Sequence, residues 1–440
     1  MANMALGYPP VSAGAVGAIE GGNAAPYNFA PMQRAHIVKP AAMFWGLVVF
    51  MPVGVTYLAA ILLLIALLAG GGIAERAARL RASPLWWPVT AYVAWTLLVL
   101  ATQPHYPETA SNLAHGLRIA ITIGMALALT RAEALWALRG FVLMALINLA
   151  LIALYYSVGF PLLEPWRGVL VLLGNKSISN ALLFTILGAS AVVYGLSQLR
   201  ARRYGRAGLA LATTLAALAI ITLTLPSRTS QLALSLALAG ACLHQWRGQL
   251  KVLLPVLALG ALLVTGLSQI PAVQKSFELG LSEVAAAQAG TVSQGSWVVR
   301  YYMYRDTALM LADKPLAGWG IGGWTAQWHE RGPALLADYN MPHNDFLWMG
   351  AQAGLPGLLC LLLIMLTGVW QAWRRPDVAG RLALVASIIA LVATSLNSAL
   401  RDAQIGLSLL WVVMLYVRLT QEAPDASPWR DLWPRHLLVP

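Results

Sequence analysis

Charge is scarce in this sequence. Asp, Glu, Lys and Arg make up 10% of the 440 residues, hydrophobic residues make up 59%, and the mean hydropathy is +0.68. A soluble domain carries about 25% charged residues, so this scarcity excludes an ordinary soluble protein. The apolar runs are long, do not alternate with polar residues, and are rich in Leu and Ala. Because a bilayer-spanning helix needs about 20 apolar residues, the sequence predicts an all-α polytopic membrane protein.

Cysteine is almost absent, and both cysteines, Cys242 and Cys360, lie inside apolar runs. This placement argues against a disulfide framework and against a cysteine metal site. The sequence also lacks a His-Glu-x-x-His motif, and the acidic residues outside the apolar runs show no metal-ligand spacing. We therefore expect an activity that uses no metal and no cofactor.

Acidic residues are outnumbered by basic ones, 17 against 29, which gives a formal net charge of +12. Such an excess would suggest nucleic acid as a partner if the charges formed one patch. They are instead scattered between apolar segments, as expected for a membrane protein whose cytoplasmic loops are rich in Lys and Arg. We expect membrane lipids, and no nucleic acid, as partners.

The apolar runs divide the chain into about twelve spans and one long polar loop. Residues 40–70 contain Pro52 and Gly54 near the middle, which favours two short spans over one long span. The other spans are expected near 84–102, 113–130, 134–157, 175–197, 207–225, 229–245, 252–268, 345–372, 380–399 and 403–420.

The expected organisation follows from these runs. It consists of a flexible cytoplasmic tail at 1–36, about nine transmembrane helices at 37–268, a periplasmic loop at 269–341, three transmembrane helices at 342–420 and a cytoplasmic tail at 421–440. The loop is expected to be partly helical, with apolar residues at helical spacing over 273–288 and 300–313, and an irregular glycine-rich turn over 314–323.

The distribution of basic residues orients these spans. Nineteen of the 29 Lys and Arg residues fall in alternate short loops and in the two tails, so both termini are expected in the cytoplasm. The other ten are expected at the outer face or inside spans and include the functional candidates. They are Arg118, Arg167, Lys176, Arg228, Lys275, Arg300, Arg305, Lys314, Arg331 and Arg401.

His343 is the central candidate residue for a functional site. It lies where the long polar loop meets a membrane-length apolar run. One interpretation is an interfacial histidine that caps a helix; the other is a general base, since an imidazole with a pKa near 6.5 is suited to proton removal at neutral pH. Gly350, Gly354 and Gly357 follow it and are expected to serve helix packing.

Several cations are expected at the same depth as His343. Arg228 lies in a connection between two spans that is too short to leave the bilayer interface. It either snorkels to the lipid headgroups or clamps an anionic ligand, because a guanidinium binds oxyanions through paired donors. Arg300 and Arg305 are rotated by about 140° on a helix, so they are not expected to point at one ligand.

Taken together, Arg167, Lys176, Arg228, Arg300 and His343 are expected to converge at the outer face. Each cation alone is more typical of a solvated charge. Together they indicate a polyanionic, lipid-linked ligand such as a polyprenyl diphosphate. Arginines would then take the place of a divalent cation in neutralising a diphosphate leaving group.

At this point the sequence resembles a known family, the O-antigen ligase and polymerase superfamily of the bacterial inner membrane. The resemblance rests first on His343-Asn344, nine residues, and Gly354-x-x-Gly357. Further matching elements are Pro226-Ser227-Arg228, Arg300, an aromatic residue at Tyr304, and the segment Lys314-Pro315-Leu316-Ala317-Gly318-Trp319-Gly320. The similarity covers about 175–400. Tyr304 stands where tryptophan is commoner, and the nearby Arg305 blurs which arginine is the clamp.

The resemblance implies a GT-C-like fold and transfer of a glycan from undecaprenyl diphosphate at the periplasmic face, without metal or nucleotide. Arg228 and Arg300 would hold the diphosphate, and His343 would deprotonate the acceptor hydroxyl for an inverting displacement. The wider set of residues expected at the donor is Arg167, Lys176, Arg228, Arg300, Arg305 and Asn344.

Three activities occur in this superfamily: ligation of O-antigen to lipid A-core, polymerisation onto another lipid-linked glycan, and transfer to Ser or Thr of a protein. Only about 20 residues follow the final span, which disfavours the protein transferase. We expect a ligase, acting as a monomer. A transporter or flippase is the alternative from another class, but it would show paired half-repeats, and the sequence has no convincing internal repeat.

Overall fold

The protein is described by a computed structural model covering residues 35–159, 175–269 and 271–422. Over these residues the chain is 81% helix and contains no strand, which confirms the all-α prediction. The α-helices are α1 Val38–Val48, α2 Val53–Ala69, α3 Ile73–Ala82, α4 Trp86–Thr102, α5 Thr109–Ala128, α6 Arg131–Val158, α7 Asn175–Arg200 and α8 Tyr204–Ala219. They continue with α9 Arg228–Trp246, α10 Leu250–Ser268, α11 Pro271–Gln288, α12 Ser296–Asp313, α13 Gly323–Arg331, α14 Asp345–Arg374, α15 Val378–Leu396 and α16 Ala403–Leu419.

The helix boundaries follow local chemistry. Pro52 sits at the N-cap of α2, so the run over 40–70 is two helices, as its composition predicts. Thr130 and Glu133 form a capping box at the start of α6. Asp377 and Asp402 accept hydrogen bonds from backbone amides at the starts of α15 and α16. These caps hold the helix ends where the apolar runs stop.

Every predicted span coincides with a helix to within a few residues. Within the described part of the chain, five helices are long and apolar enough to cross a membrane, or six if the bent pair α2 and α3 counts as one span. The five are Arg131–Val158, Lys176–Arg200, Tyr204–Thr224, Asp345–Arg374 and Val378–Leu396. The chain is thus a helical membrane protein by composition and helix length, while the count of about twelve spans stays a prediction.

The chain alternates between two ends of a helix bundle. At one end, the carbonyl of Met51, between α1 and α2, accepts hydrogen bonds from Lys176 at the start of α7 (2.9 Å) and from Gln404 at the start of α16 (3.2 Å). His343 lies at this end, which we call the His343 end. At the other, the Arg375 end, Arg375 donates to the carbonyl of Thr420 (2.8 Å).

The first and last helices run antiparallel. Trp45 of α1 stacks on Trp411 of α16 with ring centroids 4.0 Å apart, and Ser408 of α16 donates to the carbonyl of Val49 (2.7 Å). The start of α1 and the end of α16 therefore point to the same end of the bundle. This arrangement agrees with two termini on one side of a membrane. Which side that is stays a prediction.

Helix α16 lies at the centre of the bundle. It is buried from Ile405 to Leu419 and packs against α2, α5, α6, α7 and α15. Leucines on the outer helices are exposed instead, for example Leu359 and Leu363 of α14. An apolar face of this kind is what a helix presents to lipid.

The segment between α10 and α14 is partly helical, as predicted. The helices expected over 273–288 and 300–313 are α11 and α12, whose starts lie two and four residues earlier. The turn expected over 314–323 is irregular, with left-handed backbone at Gly318, Gly320 and Gly322. Helix α13, which follows this turn, was not predicted.

Candidate functional site

Helix α14 is broken three turns below His343. Ala353 and Gly354 have non-helical backbone angles, and Gly354 is left-handed with φ +68°. A Cβ on Gly354 would lie 2.2 Å from the carbonyl oxygen of Leu316, so only glycine fits this approach. The break therefore gives the segment 314–322 a place against α14.

Backbone hydrogen bonds lock the segment into this break. The amides of Trp319 and Gly320 donate to the carbonyls of Ala351 and Gln352 (2.8 and 3.0 Å), and the amide of Leu355 donates to Pro315 (2.7 Å). Carbonyls freed by the broken helix thus find partners in the turn, as membrane-depth backbone requires. These hydrogen bonds fix the segment 314–322 against α14, three turns after the residue His343 that precedes this helix.

His343 occupies a strained position immediately before α14. Its φ of +53° lies in the left-handed region, which is uncommon for residues other than glycine. The hydroxyl of Tyr304 donates to its backbone carbonyl (3.0 Å), and the ring of Tyr339 meets its imidazole edge-on at 6.1 Å. Burial, and secondly the charge of Arg300, lower the pKa of His343 to about 4. The imidazole is therefore neutral at physiological pH.

Arg300 is the arginine beside His343. It lies on α12, where its guanidinium donates to the hydroxyl (2.7 Å) and carbonyl (3.2 Å) of Ser296 one turn earlier. Tyr304, one turn later on the same face, carries the hydrogen bond to His343, and burial raises the pKa of its phenol. Arg300 and Tyr304 thus approach His343 together.

Arg305 faces a different direction, as the helical spacing predicts. Its guanidinium donates to the carboxylate of Asp306 (2.6 Å) and lies over the ring of Tyr302 at 4.8 Å. The hydrogen bond to Asp306 raises the pKa of Arg305. These contacts make Arg300 rather than Arg305 the better candidate for a phosphate clamp.

Arg228 begins α9 at the His343 end. Ser227 caps this helix by accepting from the amide of Ser230 (3.2 Å), and Arg228 is exposed. Helix α9 packs against α15, and the last turn of α15 carries Ser395. Asn344 donates to the carbonyl of Ser395 (2.9 Å), so Arg228 lies one helix away from the segment that holds His343.

The remaining expected donor residues have other surroundings. Asn344 caps α14, since its side-chain oxygen accepts from the amide of Leu347 (3.0 Å) while its nitrogen binds Ser395. Lys176 is buried and tied to the carbonyl of Met51. Both side chains therefore have structural contacts. Arg167 lies outside the described residues.

Three polar residues of the site were given no role by sequence reasoning, although Arg118 and Arg401 are among the ten basic residues expected at the outer face or inside spans. Asp345 is fully buried and accepts from the amides of Leu400 and Arg401, while Arg118 donates to the carbonyls of the same two residues. Arg401 also donates to Asn340 (3.3 Å). The adjacency of Asp345 to His343 is a weak signal. Nothing in the sequence indicates that Arg118 meets a turn almost 300 residues later.

No group of three or more His, Cys, Asp or Glu side chains converges as a metal site within 35–159, 175–269 and 271–422. The charged group that acts on the His343 imidazole is instead the guanidinium of Arg300. An arrangement of a neutral imidazole beside a fixed cation can remove a proton and neutralise an anion in the same place.

Comparison with protein families gives one match. Residues 212–362, about a third of the chain, match the family described as O-Antigen ligase. This segment contains Arg228, Arg300, His343 and the glycines of the α14 break. The resemblance seen in the sequence is thereby confirmed for this part of the chain. No curated protein matches the sequence.

Proposed function

We propose that this chain, whose residues 212–362 match the O-antigen ligase family, is a membrane glycosyltransferase that transfers O-antigen from undecaprenyl diphosphate to lipid A-core oligosaccharide. One observation carries the proposal: a partly buried, neutral His343 lies beside the fixed positive charge of Arg300. A base and a diphosphate clamp are what this reaction needs from a protein.

The reaction is a single displacement at the anomeric carbon. A ring nitrogen of His343 takes the proton of the acceptor hydroxyl, and the oxygen attacks the anomeric carbon from the face opposite the diphosphate. The bond between that carbon and the diphosphate oxygen breaks, and its electron pair leaves with undecaprenyl diphosphate. The configuration at the carbon is inverted. Arg300 and Arg228 stabilise the negative charge that develops on the leaving group.

Donor binding would make His343 a better base. The charge of Arg300 is one of the two causes that lower the pKa of His343. A bound diphosphate would compensate that charge, so the pKa of His343 would rise towards its ordinary value of about 6.5. Proton removal would then be favoured only when the donor is in place.

The donor site of this proposal is narrower than the sequence alone suggests. Arg300 and Arg228 are its clamps. Arg305 is held by Asp306, and Lys176 and Asn344 bind backbone carbonyls, so these three are assigned to the framework. Arg167 lies outside the described residues, so its expected contact with the donor stays a prediction.

The proposed location is the bacterial inner membrane, with both termini in the cytoplasm and the His343 end in the periplasm. The antiparallel pairing of α1 and α16 and the excess of Lys and Arg in alternate loops support it. The enzyme is proposed to act as a monomer, with membrane lipids as its surroundings. No metal or nucleotide is required, because guanidinium groups neutralise the leaving group.

The same chemistry would serve a polymerase or a protein O-oligosaccharyltransferase, which differ only in the acceptor. Purified protein should be incubated with undecaprenyl diphosphate-linked O-antigen and, separately, lipid A-core, a second lipid-linked glycan, or a Ser/Thr peptide. We expect transfer to lipid A-core alone, unchanged in excess chelator. Transfer only to another acceptor would reassign the enzyme, and loss restored by Mg²⁺ would overturn the metal-free reaction.

The His343→Ala variant tests the base in the same assay. We expect no ligation, with the lipid-linked donor left intact. Wild-type rates in this variant would exclude the base role. A transporter would instead move the lipid-linked glycan across a vesicle bilayer without joining it to any acceptor.

A further inference from the structure

The turn between α15 and α16, residues 397–402, is hydrogen-bonded to the side chain of Asp345. Asp345, two residues after His343, is fully buried, and its two oxygens accept from the amides of Leu400 (2.8 Å) and Arg401 (2.9 Å). A polar group with no exposure is costly unless it is hydrogen-bonded. Asp345 therefore holds a fixed relation between the start of α14 and this turn.

Arg118 of α5 is hydrogen-bonded to the same turn. Its guanidinium donates to the carbonyls of Leu400 (2.9 Å) and Arg401 (2.6 Å), and it is itself buried. Two successive residues thus have their amides bound by the carboxyl group of Asp345 and their carbonyls bound by the guanidinium of Arg118. Neither peptide group can rotate without losing a hydrogen bond to one of these two side chains.

The 397–402 turn and the end of α15 make hydrogen bonds to residues on both sides of His343. Before it, Asn340 accepts from the Arg401 guanidinium (3.3 Å); after it, Asn344 donates to Ser395 (2.9 Å). A non-glycine residue in the left-handed region is strained and persists only when its surroundings over-determine it. The contacts on either side of His343 supply that constraint.

We propose that Asp345 is a positioning residue, which fixes the orientation of the His343 imidazole through the 397–402 turn, with Arg118 holding the opposite side of that turn. The inference rests on the proposed function for its effect on the reaction. Arg118, Leu400 and Arg401 all lie outside residues 212–362. The orientation of the base thus depends on contacts between the matched segment and the rest of the chain.

The test is Asp345→Asn, which keeps the size of the side chain but leaves one acceptor for two amides. Displacing a catalytic group by about 1 Å can cost about 100-fold in rate. We expect kcat per donor-binding site to fall about 10- to 100-fold, with the KM for the lipid-linked donor within about twofold of wild type, because Arg228 and Arg300 are untouched.

The matched control is Asp377→Asn. Asp377 caps the start of α15 at the Arg375 end by accepting from the amide of Gly380 (2.9 Å). The same chemical change is thus made at the opposite end of the helix that leads into the turn. We expect its kcat to stay within about twofold of wild type.

A second readout does not depend on transfer. Diethylpyrocarbonate modifies neutral imidazole, and mass spectrometry of the His343 peptide gives the rate at that residue. We expect modification of His343 to be at least about fivefold faster in Asp345→Asn than in wild type or Asp377→Asn. Loss of a hydrogen bond between residue 345 and the 397–402 turn would make the half-buried imidazole more mobile and more accessible.

Unchanged kcat and unchanged His343 reactivity in Asp345→Asn would overturn the inference, and so would equal losses in Asp377→Asn. Wild-type protein that transfers glycan to no acceptor would overturn the proposed function, while the modification rates still decide the positioning role. If Asp345→Asn does not fold, Arg118→Lys is measured in its place. It keeps the charge but not the paired donors, so the same two changes are expected.

Discussion

The hydroxyl of Tyr304 donates to the backbone carbonyl of His343 at 3.0 Å and also reaches the carbonyl of Ser395 at 3.3 Å. One phenol therefore connects α12, the segment before α14 and the end of α15. The residue that carries the proposed base is held by its backbone as well as by its neighbours. The hydrogen bond from Tyr304 uses the backbone of His343 and not its imidazole ring.

Tyr304→Phe removes this connection and little else. We expect a loss of about 1 kcal/mol, or about fivefold in kcat, because two buried carbonyls lose a donor while the ring still packs. The measurement is the ligation rate of purified protein. Tyr204→Phe, at an exposed tyrosine of α8, is the control and should match wild type. Equal rates in all three proteins would contradict a positioning role for Tyr304.

Arg228→Lys tests whether the clamp needs paired donors or only charge. We expect ligation to fall at least about tenfold, since an ammonium group cannot bind a diphosphate through two parallel hydrogen bonds. Arg247→Lys, at the other end of α9, serves as the control and should keep full activity. Full activity in Arg228→Lys would mean that Arg228 snorkels to the headgroups.

The pH dependence of kcat/KM reports the pKa of His343 in the free enzyme. The base acts in its neutral form, which persists at every pH above its pKa of about 4. We therefore expect activity to stay level from pH 7 to about 5 and to halve only near pH 4. A histidine with an ordinary pKa would instead lose half its activity near pH 6.5.

Arg300→Gln should move this profile. Removing the positive charge takes away the second cause of the lowered pKa, so the midpoint is expected to rise above about 4. It should stay below 6.5, because burial is the larger cause and remains. The residual rate of the variant is sufficient to locate the midpoint. An unchanged midpoint would show that Arg300 does not act on His343.

Gly354→Ala tests the break in α14. The added Cβ would meet the carbonyl of Leu316 at 2.2 Å in a left-handed backbone. We expect destabilisation of at least about 2 kcal/mol, seen as a lower melting temperature in detergent. Gly208→Ala, where nothing lies within 4 Å, should be neutral or slightly stabilising. A stable Gly354→Ala protein would argue against the packing of 314–322 on α14.

The local pattern of the sequence was sufficient to predict most of the helices, while the outer-face location of the candidate residues stays a prediction. The two helices within 40–70 follow from Pro52, and α11 and α12 follow from apolar spacing. Helix α13 was missed because it has nine residues, begins at glycine and packs Trp324 and Trp328 inwards through contacts with distant elements. Short helices of this kind owe their stability to tertiary packing more than to their own sequence.

The candidate site divides in the same way. His343, Arg228 and Arg300 could be found in the sequence because a charge between apolar runs stands out. Lys176 and Asn344 were expected at the donor on similar grounds, yet both bind backbone carbonyls. Sequence spacing shows that a polar group is present at a helix end, but it does not show which unpaired carbonyl lies nearby.

The sequence by itself determined that this is a helical membrane protein, where most of its helices lie, and which basic residues and histidine are candidates for a site, because apolar periodicity and the distribution of charge can be read directly from the residues. The tertiary structure decided that Asp345 and Arg118 both bind the 397–402 turn and that Arg300, not Arg305, lies beside His343. Those contacts join residues up to almost 300 positions apart. The partners of Asp345 and Arg118 are backbone atoms, which every residue has, so no pattern of side chains in the sequence could predict these contacts.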